Sequence, residues 1–379
     1  MSNEIQIYLD NYNDYCIPGQ TINGRLVCNF TSEKQIRAIL VNFTGKCDTS
    51  WTESESYYDD FFKEDRTRDI HFSGGEIYFD EKLNLAGDQG TFTLPAGKHV
   101  YNFLYKLPEH LPSSYNSPDN RGTVQYLIKA IIDSPWKFNT KAVVMLNLIS
   151  PLDLNYVPRV REPVEISLDK TVCSCWCSCS DAVTFTFSLP STGFVPGQSI
   201  RVGIYVQNLT RVNVQQVKFK VTEFIEIKAT TPHTSSKYDK QVIAECVESG
   251  VGAHGEKSWT AVLDIPRHRH YPNLIPCNLI NISYKIKGEA VLPCPHSNLT
   301  ASLPITIGQV QLTGVDVSAT LGPPSDWLDP TAPTVSRTLI MPNSDRRNYG
   351  SMQPTAPLNS IEHQMPPTYE EVQKDMIRL

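Results

Sequence analysis

The chain has 379 residues, of which 40% are hydrophobic and 20% charged, with a net charge of −6 and a sequence isoelectric point of about 5.9. That length exceeds what one hydrophobic core organises, so two domains and a tail are expected. The acidic balance, with no long Lys/Arg run to neutralise a ladder of phosphates, excludes nucleic acid as a partner.

The start, Met1-Ser2-Asn3-Glu4-Ile5-Gln6, has neither the basic end nor the apolar stretch of a secretion signal. The most apolar window, Ala142-Val143-Val144-Met145-Leu146, is cut by Asn147 well short of a bilayer-spanning length. A cytoplasmic location is the expectation. In that compartment the ten cysteines are expected as reduced thiols, and the sequons at Asn208 and Asn298 as fortuitous.

Period-two patterns dominate from the first residues. Glu4-Ile5-Gln6-Ile7-Tyr8-Leu9 alternates, and Ile36-Arg37-Ala38-Ile39-Leu40-Val41-Asn42-Phe43 continues the habit, whereas long apolar stretches at helical spacing are scarce. Pro18-Gly19 predicts a turn between strands, because proline presets the first central residue and glycine accepts positive φ at the second. Asp48 to Gly75 is polar and holds Tyr57-Tyr58-Asp59-Asp60-Phe61-Phe62. It is expected as a long loop, either a flexible insertion at a sheet end or an acidic and aromatic contact surface.

Ser150-Pro151-Leu152-Asp153-Leu154-Asn155 closes the first half, a connector with Pro158 and Pro163 follows, and Lys170-Thr171-Val172 opens the second. Next come Cys173, Cys175, Cys177 and Cys179, one at every second position. In an extended strand they form a row about 7 Å apart on one face instead of converging on a tetrahedron. Metal binding, lipidation near a membrane surface and plain apolar strand residues all remain open for them. His268 and His270 flank Arg269 and point to one side if extended, which suits an exposed basic turn better than a metal site.

Two marks recur in the same order in both halves. Ile17-Pro18-Gly19-Gln20 is matched by Val195-Pro196-Gly197-Gln198, and Val124-x-Tyr126-x-Ile128-Lys129-Ala130 by Ile282-x-Tyr284-x-Ile286-Lys287-Gly288. A repeat this long means duplicated domains, so the expected fold is all-β, with two similar β-sandwiches in tandem.

Residues 313–379 hold nine of the 27 prolines and little strand-like alternation, so this segment is expected as a disordered tail. Near its end stands Pro366-Pro367-Thr368-Tyr369, followed by Glu370, Glu371 and Val372. Paired prolines favour a polyproline-II helix, whose docking costs little ordering entropy, and Pro-Pro-x-Tyr is the spacing that WW domains read. Pro330-Thr331-Ala332-Pro333 and Pro354-Thr355-Ala356-Pro357 are two copies of a tetrapeptide similar to the late-domain ligand of ESCRT-I. Tyr349-Gly350-Ser351-Met352 and Tyr369-Glu370-Glu371-Val372 also fit a loose pattern for clathrin adaptors.

The two Pro-Gly-Gln turns, Leu107-Pro108-Glu109-His110-Leu111-Pro112-Ser113-Ser114 with Gly122 to Ala130, the Pro151 to Asn155 junction and the closing Leu303-Pro304-Ile305-Thr306-Ile307-Gly308 resemble an arrestin-domain-containing protein, an α-arrestin. The likeness covers about residues 5–312. It departs at Tyr115 to Asn120, where the family has a shorter link, and Pro323-Pro324-Ser325-Asp326-Trp327 does not supply the family's frequent second Pro-Pro-x-Tyr. The resemblance implies an arrestin N-lobe over 1–155, a connector over 156–170, a C-lobe over 171–312 and the tail over 313–379. It also implies an adaptor. The lobes would recognise cytosolic regions of membrane-protein cargo, and Pro366, Pro367, Tyr369 and Val372 would recruit a WW-domain HECT-type ubiquitin ligase. ESCRT-I would engage the two Pro-Thr-Ala-Pro copies, and recruitment to plasma membrane and endosomes would follow.

No Gly-rich phosphate loop, His-Glu-x-x-His helix or nucleophile elbow occurs, so neither an enzyme nor a cofactor is expected. The alternatives are a scaffold in which the cysteine row binds metal, and a retromer-like coat subunit.

Overall fold

The computed structural model describes residues 4–10, 12–87, 90–135, 139–172 and 181–314. The first lobe is built from β1 (Ile5–Leu9), β2 (Thr21–Phe30), β3 (Lys34–Ile36), β4 (Ala38–Asp59), β5 (Glu64–Ala86), β6 (Phe92–Leu94), β7 (Gly97–Lys106), β8 (Tyr115–Asn116), β9 (Gly122–Asp133) and β10 (Thr140–Leu146). The second contains β11 (Val164–Thr171), β12 (Ala182–Leu189), β13 (Gly193–Phe194), β14 (Ser199–Asn208), β15 (Val214–Ala229), β16 (Ser235–Val251), β17 (Glu256–Asp264), β18 (Ile280–Val291) and β19 (Leu299–Ile307). A single turn of 3-10 helix, Leu154–Tyr156, lies between them and is capped by the Asp153 carboxylate.

In the first lobe a sheet ordered β1-β2-β7 faces one ordered β10-β9-β4-β5, while the second lobe has sheets β11-β12-β14-β17 and β13-β19-β18-β15-β16. The all-β expectation of two tandem sandwiches is what the chain adopts. Alternation is the cause: along β9, Val124, Tyr126, Ile128, Ala130 and Ile132 turn inward while the residues between stay half-exposed. Ile200, Val202, Ile204 and Val206 do the same in β14. Aromatic rings fill both cores, with Phe43 stacked on Tyr105 at 4.2 Å in the first and Phe187 edge-on to Phe219 at 5.3 Å in the second.

The Pro-Gly-Gln repeat owes its third residue to hydrogen bonding. Gly19 and Gly197 adopt φ of 76° and 83°, and the amides of Gln20 and Gln198 close the two turns onto the carbonyls of Ile17 and Val195. The glutamine side chains then accept from the amides of the same residues, Ile17 at 3.1 Å and Val195 at 3.0 Å.

Three segments differ from the sequence reading. Asp48 to Gly75 is not a loop: β4 and β5 pair continuously from Asp48 opposite Gly75 to Asp59 opposite Glu64. Trp51 and Phe72 are buried and stacked at the ribbon's base. Beyond them both faces meet solvent, so no alternation marks the strands. The turn is held by the Asp59 carboxylate, which accepts from the amides of Phe61 and Phe62. The segment expected as connector contains β11, which pairs along its length with β12. The stretch from Tyr115 to Asn120, expected as a variant link, adds β8 to β9 and then turns on the Ser117 hydroxyl, which accepts from the Gly122 amide at 3.0 Å.

The end of β15 and the residues before β18 cross into the first lobe. Ile225, Ile227, Ala229, Leu274, Leu279 and Ile280 share one apolar cluster with Trp51, Phe72 and Val124. Polar bonds line this junction. Thr49 donates to the Lys228 carbonyl at 2.6 Å, Ser73 exchanges backbone bonds with Thr231, and the Ser113 amide donates to the Asn273 carbonyl at 2.8 Å.

Candidate functional site

Pro366, Pro367, Tyr369 and Val372, the residues Pro330 to Pro333 and Pro354 to Pro357, and Cys173, Cys175, Cys177 and Cys179 all lie outside the described residues. Among the described residues the candidate site is the lobe junction.

Its polar centre grows from β15, where Val217, Phe219, Val221, Glu223, Ile225 and Ile227 all point inward. Glu223 is the one carboxylate in that row, and its residue is only 3% exposed. A buried carboxylate demands a cation, and Arg269 supplies it with one guanidinium nitrogen, which also donates to the Gln241 amide oxygen at 2.9 Å. The second carboxylate oxygen accepts from the Tyr284 hydroxyl at 3.3 Å. Burial, and then the Glu223 charge, push the Tyr284 phenol well above its usual range, so it stays protonated and donates.

Arg267, His268 and His270 are exposed around Arg269, as the basic-turn reading expected; Arg269 itself turns inward. The sequence alone missed this pairing. The available signal was a glutamate in a row of inward-facing apolar residues, which requires a partner from elsewhere in the chain.

Beside this pair opens a cleft of about 700 Å³ walled by both lobes, including Tyr12, Tyr115, Gln125, Met145, Arg269 and Ile282. The Tyr115 hydroxyl is buried without a hydrogen-bond partner, and burial raises its pKa. With Arg269 already neutralised by Glu223, the cleft wall offers shape and neutral polar groups in place of a free cation for phosphate.

Among the described residues no cluster of three or more His, Cys, Asp or Glu could hold a metal ion, and no helix is long and apolar enough to cross a membrane.

Comparison with known protein families gives matches to the arrestin (or S-antigen) N-terminal domain over residues 5–155 and to the arrestin C-terminal domain over 179–312. The chain belongs to the α-arrestin family, a family of arrestin-domain adaptors. Arrestin domain-containing protein 17 of Caenorhabditis elegans is 26% identical to this α-arrestin over 320 residues, covering 80% of this chain and 70% of the relative. Arrestin domain-containing protein 1 is similar as well. The Rattus norvegicus protein is 26% identical, covering 84% of this chain and 67% of its own, and the Homo sapiens protein 27% identical, covering 86% and 67%. The α-arrestin lobes therefore carry the junction described above, and the tail motifs lie beyond their matched range.

Proposed function

We propose that this α-arrestin is an adaptor that brings a WW-domain HECT-type ubiquitin ligase to membrane-protein cargo, promoting ubiquitination, endocytosis and endosomal sorting. The observation that carries the reading is the presence, in one chain, of both arrestin domains and a Pro366-Pro367-Thr368-Tyr369 peptide beyond them. The N-lobe over 1–155 and the C-lobe, which runs from β11 to residue 312, form the cargo-facing module. The tail over 313–379 displays peptides. Pro366, Pro367, Tyr369 and Val372 dock in a WW groove, and Pro330-Thr331-Ala332-Pro333 with Pro354-Thr355-Ala356-Pro357 engage ESCRT-I.

Linking two modest contacts makes the second encounter intramolecular, so ubiquitin transfer is promoted by effective concentration with no chemistry in this chain. The protein works in the cytoplasm and is recruited to the plasma membrane and endosomes by cargo. Titration calorimetry of the full chain against ligase WW domains tests the reading. Micromolar binding, about −8 kcal/mol, is expected, with loss on Tyr369→Ala. Absence of binding by the wild type sinks it and favours a coat or scaffold subunit.

A further inference from the structure

Of the six free cysteines among the described residues, Cys16 and Cys28 are buried singly, and burial raises each thiol to about 11. Cys47 and Cys277 differ because they meet across the lobe junction. Cys47 lies on β4, opposite Glu76 of β5 and Val124 of β9, and is fully buried. Cys277 lies in the segment before β18 and is partly buried. Asn278 clamps that segment to the first lobe, donating its backbone amide at 3.0 Å and its side-chain amide at 2.9 Å to the Glu76 carboxylate. The residue facing Cys47 along the ladder thus anchors the neighbour of Cys277.

The Cys277 sulfur sits among donors. The Ile280 amide donates to it at 3.3 Å, and the Cys47 thiol and the buried hydroxyl of Tyr78 lie beside it. Hydrogen bonds to a sulfur favour its anion. The neighbouring Cys47, helped by Tyr78 and the Ile280 and Leu279 amides and opposed by burial, lowers the Cys277 pKa, while Cys277 and burial raise that of Cys47. Cys277 is thus the more easily ionised of the two, and it is the one that is not fully enclosed.

We propose that Cys47 and Cys277 are a redox site of this protein, which hydroperoxides oxidise to a disulfide joining the two lobes. The Cys277 thiolate attacks the peroxide O–O bond. An S–O bond forms, the O–O bond breaks, and the departing oxygen leaves as hydroxide or alkoxide and takes a proton from water. Cys277 is then a sulfenic acid. The Cys47 sulfur attacks it, forming the S–S bond and breaking the S–O bond, and water leaves with the Cys47 proton. Both thiols have lost one electron each and the peroxide has gained two. A dithiol reductant reverses the change, leaving as its own cyclic disulfide. The inference is independent of the ubiquitin-ligase reading, since it rests on the lobes alone.

The test uses the full chain, reduced and then exposed to hydrogen peroxide, in a background with Cys173, Cys175, Cys177 and Cys179 replaced by serine so that these thiols cannot exchange. Non-reducing peptide mapping should recover Cys47 joined to Cys277. The midpoint of thermal unfolding should rise by about 5 °C on oxidation and return with dithiothreitol, because the crosslink restricts the unfolded chain. Cys277→Ser, at a position that is not fully buried, should fold and show no rise. Cys47→Ala should leave a Cys277 sulfenic acid that dimedone traps. Recovery of Cys277 as sulfinic acid or joined to another cysteine in the parent background, with Cys47 still free, would overturn the proposal. So would both thiols remaining unmodified in the folded protein.

Discussion

Arg269 and Glu223 form an ion pair in which the glutamate side chain is 4% exposed and the arginine side chain 27%. The asymmetry fixes what happens when one partner is removed. An isolated carboxylate held in the inward row of β15 cannot be rehydrated without opening the sheet. Arg269→Ala is therefore expected to cost about 3 kcal/mol, read as a lower urea midpoint with unchanged slope. The double replacement Arg269→Met with Glu223→Leu should restore most of the loss. If the single replacement is neutral, water reaches Glu223 and the junction is looser than described.

Gly45 and Gly288 are space-limited positions in the two cores. A Cβ on Gly45 would fall 2.5 Å from Phe79 and 2.8 Å from Tyr126, and one on Gly288 would fall 2.8 Å from both Phe187 and Phe219. Neither residue has positive φ. The constraint is volume, and the rings that would have to move are enclosed. Alanine at either position should destabilise by about 2 kcal/mol or more, with Gly45→Ala the worse because its ring contact is closer. A thermal melt unchanged by Gly45→Ala would mean that the Phe79 and Tyr126 rings can retreat.

How much of this was legible in the sequence follows from where one face of a strand is buried. Tyr126 and Tyr284 mark equivalent strands because each sits in an apolar row. Their hydroxyls nevertheless diverge, one donating to the Pro112 carbonyl at 2.6 Å and the other to Glu223. The outer ribbon of β4 and β5 reads as a loop in the sequence because solvent on both faces erases alternation. β11 reads as connector in the sequence because its edge position leaves half its residues exposed. The approach of Cys47 to Cys277 had no local signal at all, since it depends on how a segment of the second lobe threads into the first.

Asp80 offers a pH test. Its carboxylate accepts from the Thr44 hydroxyl at 2.8 Å and the Asn42 side-chain amide at 2.9 Å, and these bonds, Thr44 first, hold its pKa below the usual value. A depressed carboxylate stabilises the fold fully above its unfolded value, and that contribution fades as pH falls through the folded one. The loss therefore belongs below about pH 4. Carbon-detected titration by NMR should give Asp80 a lower midpoint than a free aspartate, and Thr44→Val should move it back up. An ordinary midpoint in the wild type would show that the two bonds do not persist in solution.

Thr49 and Lys228 tie the lobes together at one buried point. The Thr49 hydroxyl, on a residue 2% exposed, donates to the Lys228 carbonyl, and Ser73 exchanges backbone bonds with Thr231 a few residues along. Valine has nearly the shape of threonine but no donor, so Thr49→Val removes the bond while keeping the packing. The expected cost is about 1 kcal/mol. Its location is more telling than its size. Hydrogen exchange at the Thr230 and Thr231 amides, which donate to the Ser73 carbonyl across the junction, should quicken several-fold. Exchange in the middle of β9 and β14 should not, because those strands lie within single lobes. A uniform quickening across both lobes would mean that the junction and the sandwiches unfold as one cooperative unit. A local one would show that the junction opens by itself, which is the motion an inter-lobe disulfide would suppress.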